Sequence, residues 1–190
     1  MTKSLSGVTF VLLFLFTVSF VRAAEIREAK EYKIKAVFLY NFILFSNWPD
    51  SEIKNENIII GILGVDVFSV SFTGIEGKLI KGKKKHLKIK RFGKFTGNEN
   101  LRECDLLFMT NDEDKNHEKI IKSLKGAPVL TVSDTDGFLE KGGMINFLKT
   151  GKKVRWAMND KAIKNSGIRV SSQLYRNAVK VIHVGEQDKL

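Results

Sequence analysis

Cysteine is almost absent from this chain: its 190 residues include one, Cys104. No disulfide can close within the chain, so the fold must be held by its own core. Proline is scarce too, at 2, and no proline-rich linker, low-complexity segment or internal repeat is present. The 3 histidines, His86, His117 and His183, each stand apart from any other metal-ligating residue at a ligand spacing, and all three read as surface residues. Phosphate-cradling loops are missing as well. Gly61-Ile62-Leu63-Gly64 echoes a dinucleotide loop but lacks the third glycine and a long helix behind it. Asp112, Glu113 and Asp114, the pair Asp134 and Asp136, and Ser171-Ser172 are accounted for by capping and turn chemistry. The residues therefore call for no metal, no cofactor and no catalytic constellation, and the chain reads as a protein that is not an enzyme.

What is present begins at the N-terminus. Lys3 is followed by the apolar run Val8–Val21, broken only by Thr9, Thr17 and Ser19, and Val21 and Ala23 are residues a signal peptidase accepts. This predicts a signal peptide over residues 1–23, cut after Ala23 or Ala24. The run is short of the roughly 20 residues a membrane span needs, and no later stretch is apolar enough to serve. The expected mature protein is exported and periplasmic.

Cys104 lies in Cys104–Met109, which reads as a buried strand, and a buried inert thiol is the expectation. An intermolecular bridge or a redox sensor is the alternative.

Charge is concentrated. The segment Lys78–Lys94 holds Lys78, Lys81, Lys83, Lys84, Lys85, Lys88, Lys90, Arg91 and Lys94 and no acid. Outside it and the signal peptide the basic and acidic residues balance, 21 against 21. Export argues against nucleic acid as the partner of this patch. Anionic membrane headgroups or an acidic protein face remain, beside a plain solvated loop and outer strand face, with Lys81, Lys83, Lys84, Lys85, Lys88 and Lys90 as the patch residues.

Hydrophobic spacing gives the rest. Ala29, Tyr32, Ala36, Leu39, Tyr40 and Ile43 form one stripe of a helix over Glu25–Phe45, ended by Trp48-Pro49. Its second half is apolar nearly all round, so it is buried or shared with a partner. Strands are predicted at Asn57–Leu63, His86–Phe92, Cys104–Met109, Pro128–Val132 and in a hairpin over Met144–Met158 turning at Gly151-Lys152. Short helices are predicted at Val67–Phe72, Lys115–Leu124, Asp134–Glu140, Lys161–Asn165 and Gln173–Val181. Gly142, Gly143 and Gly167 serve as turns and stops, and Asn159 (or Asp160) and Ser171 as helix caps. The order predicts one α/β domain over residues 25–184, a mixed sheet of about six strands covered by helices, with a short polar tail at 185–190.

Three blocks in this order carry a resemblance. They are Lys35-Ala36 with Tyr40-Asn41-Phe42 and Trp48-Pro49; Leu130-Thr131-Val132-Ser133 with Gly142-Gly143-Met144-Ile145 and Phe147; and Arg155, Asn159, Ala162, Gly167-Ile168-Arg169, Ser171-Ser172, Leu174 and Ala178. From about Lys33 to Val181 the chain resembles the YfiR-like family of exported bacterial regulators. The resemblance implies a periplasmic homodimer without enzymatic activity. It would bind the periplasmic sensory domain of an inner-membrane diguanylate cyclase and repress it, lowering cyclic di-GMP and biofilm formation. Relatives can carry redox-linked disulfides; with Cys104 alone this chain departs from that pattern.

For the interface, the expectation falls on Tyr40, Phe42, Phe45, Trp48 and Arg169, because the aromatic residues of Tyr40–Trp48 exceed what one helix stripe needs. The alternative function is a periplasmic small-molecule-binding protein, with a cleft formed by Gly61–Asp66 and Asp134–Gly143 at strand carboxyl ends.

Overall fold

The computed structural model describes residues 26–49, 56–151 and 153–183. The predicted signal peptide, the tail at 185–190 and Lys152 of the predicted turn lie outside the described residues. Among the described residues no helix is long and apolar enough to cross a membrane.

A long helix, α1 (residues 26–44), runs into a two-residue strand, β1 (Ser46–Asn47). The main sheet follows, with β2 (Asn57–Leu63), β3 (His86–Gly93), β4 (Leu106–Met109), α2 (His117–Ser123), β5 (Leu130–Ser133), β6 (Ile145–Thr150), β7 (Lys153–Asn159), α3 (Asp160–Asn165), β8 (Arg169–Val170), α4 (Ser172–Asn177) and β9 (Lys180–Ile182) in chain order. Seven strands line up as β3-β2-β4-β5-β6-β7-β9, and β1 pairs separately with β8. The sheet is parallel from β3 to β6, β7 returns antiparallel to β6, and β9 is parallel to β7. This is the mixed α/β sheet that the sequence predicts, with seven strands in place of about six.

The centre of the sheet is covered on both faces. In β4, Leu106 and Phe108 face the cluster that holds α1, while Leu107 and Met109 face the cluster that holds α2. Period-two alternation with both faces apolar is what a central parallel strand requires. From α1, Ala36, Leu39, Phe42 and Ile43 pack on Ile60, Ile62, Phe108, Val132 and Phe147. Ala29, placed on that stripe by its spacing, is exposed, as are all of residues 26–30 at the start of α1.

Four predicted helices differ. Residues 135–142 form a bend and turns: the Asp134 carboxylate is engaged by Lys35 and Tyr32, and Ser133 Oγ, although it accepts from Thr135 N at 3.2 Å, donates to Met109 O, and no helix follows. The helix predicted over Gln173–Val181 ends at Asn177; the β-branched run beyond it becomes β9, drawn onto β7 by Met158 and Val181 in register. Only Ser69–Phe72 of the predicted Val67–Phe72 helix is helical, as a 3-10 turn. The helix predicted at Lys115–Leu124 is split into a 3-10 turn, Asn111–Asn116, and α2. Asn159 caps α3 by accepting from Ala162 N at 3.2 Å, and Ser171 caps α4 by accepting from Gln173 N at 3.2 Å.

The two adjacent glycines act differently. Gly142 has φ +94, a conformation open to glycine, whereas Gly143 lies so close to Phe138 that any Cβ would overlap the ring.

Candidate functional site

The carboxyl ends of the parallel strands are where an open α/β sheet usually places a ligand. Here they are closed by the chain's own bonds. Thr110 Oγ1 donates to Leu63 O at 3.0 Å, and the Asp112 carboxylate accepts from Val65 N at 3.1 Å. The Asp134 carboxylate accepts from Tyr32 Oη at 2.9 Å and Lys35 Nζ at 2.6 Å. Lys35 also meets Glu31 at 2.8 Å, and Glu31 meets Lys149 at 2.5 Å. Burial acts to raise the Glu31 pKa, but the bonds from Lys149 and Lys35 outweigh it and hold the carboxyl below its usual range. Burial, reinforced by the Asp134 charge, pushes the Tyr32 phenol well up, so it stays a donor. This network fastens α1 to the loop after β5.

An open site lies elsewhere, between α1, β7 and α4. Phe38, Asn41, Phe45, Arg155, Trp156, Gln173, Leu174 and Asn177 line a groove with a cavity volume of about 310 Å³. Its floor is aromatic: the Phe38 and Trp156 ring centroids are 5.1 Å apart, and the Trp156 indole N–H donates to Leu174 O at 3.3 Å. Arg155 is exposed at its rim, and the side chains of Asn41, Arg155 and Gln173 make no hydrogen bond or ion pair among the described residues. One turn earlier on α1 than Phe38 and Asn41, Ile34 and Val37 are exposed, Val37 at 56%. An apolar floor with a few uncommitted polar groups at the rim is the chemistry of a recognition site.

The predicted interface residues divide around this groove. Phe45 lines it, and its carbonyl accepts from Ser171 N at 2.8 Å, which ties the end of α1 to the start of α4. Phe42 does not reach the surface: it is 0% exposed, stacked on Phe147 at 5.6 Å and edge-on to Trp156 at 5.5 Å. The reading of Phe42 as an interface residue is corrected by this; its ring is core. Tyr40 is half-buried against the same core. Trp48 is half-buried, its indole N–H donating to Asp105 O at 3.2 Å. Arg169 is exposed on β8 opposite Asn47 of β1. Pro49 lies beside Gly167, which has φ +76.

The basic segment also divides. Lys83 turns inward: its ammonium donates to Ser46 O and to Asn47 Oδ1 (2.9 Å) and stands 5.6 Å from the centre of the Trp48 ring. Burial, with the neighbouring Lys85 charge, lowers its pKa. Lys90 pairs with Glu103 and Arg91 with Asp66 at 2.7 Å. Lys81, Lys84 and Lys88 are exposed, and Lys85 is half-exposed.

Of two residues read from the sequence, Cys104 is buried as expected, while the reading of His117 as a surface residue is corrected. Cys104 is buried, and burial pushes its thiol up to about 12, so it is no nucleophile at neutral pH. His117, expected at the surface, is 0% exposed. Its Nε2 is 3.1 Å from Thr110 O, its ring stands edge-on to Phe138, and burial lowers its pKa. Among the described residues no group of three or more His, Cys, Asp or Glu could hold a metal ion.

Sequence reasoning missed Phe38, Trp156 and Asn177 as groove residues. Arg155, Asn41 and Leu174 were legible only as parts of the three blocks, and nothing in their spacing says that they meet. The sequence model of the family described as YfiR/HmsC-like matches residues 32–179. No curated protein matches the chain.

Proposed function

The chain belongs to the YfiR/HmsC-like family, and on that premise we propose that it is a periplasmic, non-catalytic regulator acting as a homodimer. Its target is the sensory domain of an inner-membrane diguanylate cyclase, which it holds in the inactive state, lowering cyclic di-GMP and biofilm formation. The observation that supports this reading is the α1–β7–α4 groove, an aromatic floor rimmed by the uncommitted Arg155. A repressor must prefer one state of its target. Moving a two-state partner from almost all on to almost all off takes a differential of about 5.5 kcal/mol. One apolar anchor of the partner seated on Phe38, Phe45 and Trp156, with a carboxylate on Arg155, is the type of contact that supplies most of such a difference.

The test is affinity capture of the tagged mature protein from solubilised membranes of its own cell, read by mass spectrometry. A membrane protein with a periplasmic domain and a diguanylate cyclase output is the expected catch, lost with Arg155→Glu. Capture that is clean and returns only the protein itself removes the cyclase reading. The groove volume of about 310 Å³ also matches a small ligand, which supports the second reading, a small-molecule-binding protein. A metabolite that raises the melting temperature of the isolated protein, and fails to do so in Trp156→Ala, would favour it.

A further inference from the structure

The groove leaves the chain's excess charge without a use. Residues 77–88 fold back on the outer edge of β3, the terminal strand of the sheet. Gly77 N donates to Leu87 O at 2.8 Å, Leu87 N to Lys78 O at 3.0 Å and Ile80 N to Lys85 O at 2.8 Å. The tip lies at 81–84, with Gly82 at φ +78 and Lys84 at φ +54. Lys83 clips this tip to Ser46 and Asn47 of β1, so the hairpin is held in one arrangement.

With Lys83 turned in, its neighbours point out. Lys78, Lys81, Lys84 and Lys88 are exposed, and their side chains make no ion pair or hydrogen bond among the described residues. Leu79, between the first two of them, is 60% exposed. It is the bridge partner of His86, and Lys88, two residues further along the strand, shares the face of His86. The result is a clipped hairpin that carries four solvated ammonium groups and one exposed leucine.

We propose that this hairpin docks on anionic phospholipid headgroups, with Leu79 entering the boundary between headgroups and acyl chains. Charge complementarity carries the choice of occupant. The array is all lysine, compact point charges with no arginine fork to read a particular carboxylate, which suits a diffuse negative surface. Each lysine near an anionic bilayer strengthens binding about fivefold, and the effect fades within a Debye length, so the cations must sit at the outermost surface, as these do. The clip from Lys83 removes ordering cost from the docking step. The inference rests on the periplasmic reading only for which bilayer is met. Its consequence for that reading is a higher effective concentration of the regulator beside a membrane-embedded target.

The test is co-sedimentation of the purified mature protein with vesicles of phosphatidylglycerol and phosphatidylcholine in equal parts, and with phosphatidylcholine alone. Binding is expected only to the anionic vesicles and is weakened by added salt. Lys81→Ala with Lys84→Ala should lower it about 25-fold, and Leu79→Ala should lower it further. Lys115→Ala with Lys153→Ala, the same loss of charge elsewhere, should leave it unchanged. Equal binding to both vesicle types overturns the proposal, as does an equal loss in the two double variants. So does a lysine-dependent complex with the soluble sensory domain when vesicle binding is absent, which would make the hairpin a protein contact. Vesicle binding without capture of a cyclase would sink the regulatory reading and leave this one standing.

Discussion

Lys35 Nζ and the Asp134 carboxylate meet at 2.6 Å although 99 positions separate them in the chain, and their side chains are only 6% and 10% exposed. Lys35 belongs to the first of the three blocks that carry the family resemblance, and Asp134 directly follows Ser133 of the second. It is also the main polar tie between α1 and the loop that follows β5.

Breaking this pair from one side is expected to be costly. Lys35→Met leaves Asp134 buried with only Tyr32 as donor, and the loss should be about 3–5 kcal/mol in urea unfolding. Lys35→Met with Asp134→Asn should cost clearly less than the sum of the two single changes. Additive losses would mean that the two groups do not act as a pair.

Gly143→Ala tests the approach of the Phe138 ring. The added methyl overlaps the ring, and Phe138 is itself fully buried, so it has nowhere to retreat. A loss of about 1–3 kcal/mol is expected, the usual cost of overpacking. Gly137→Ala makes a contrast of a different kind: it meets no atom within 4 Å, and its strain is confined to φ +74. Thermal melts of the two variants, with Gly143→Ala and Phe138→Leu combined as a rescue, decide between steric and conformational causes.

Phe42 and Phe45 should separate stability from binding. Phe42→Ala opens a hole in the core and should cost about 3–5 kcal/mol. Phe45→Ala, on the groove wall, should cost about 1 kcal/mol, an ordinary figure for a single change, yet should abolish partner capture. A folded Phe45→Ala protein that captures its partner normally would return this ring to plain packing.

His117 predicts a dependence on pH with a definite sign. Burial depresses its pKa in the folded state below the ordinary value of about 6.5. Between those two values the unfolded chain holds the extra proton, so stability falls as pH drops through about 6.5 and goes on falling until the folded pKa is passed. Asp114, Glu113 and Lys141 are the charged groups around the ring, and Asp114 and Glu113 oppose the shift that burial makes. Urea unfolding at neutral and mildly acid pH should show this slope, and His117→Gln should flatten it. An unchanged slope would assign the acid sensitivity to other groups.

Legibility varied with what each segment had to satisfy. Asn57–Leu63 was read to the residue because an isoleucine run has no other use in a central strand, and Ser171 and Asn159 were read as caps because capping is local chemistry. The final strand was missed because Leu174 and Ala178 fit a helical stripe. What ends the helix is the pairing of β9 with β7, a contact the local pattern does not contain. The groove was half legible. The surplus of aromatic residues near Phe45 signalled a surface, but its other wall, Arg155 and Trp156, comes from more than a hundred positions away. Phe42 was misplaced for the same reason: only the tertiary arrangement decides which aromatic of a helix apolar nearly all round faces Phe147 and which faces solvent.

The pairing of β1 with β8 has a kinetic meaning. Ser46 meets Val170 and Asn47 meets Arg169, so this smallest sheet closes about two thirds of the chain into a loop for two residues of contact a side. A closure of that length is entropically expensive and returns little by itself, so it cannot lead assembly. It must wait until the parallel strands have brought α1 and α3 together. The junction that links the end of α1 to the start of α4 is therefore expected among the last parts to form, and the groove is complete only once the sheet beneath it has assembled.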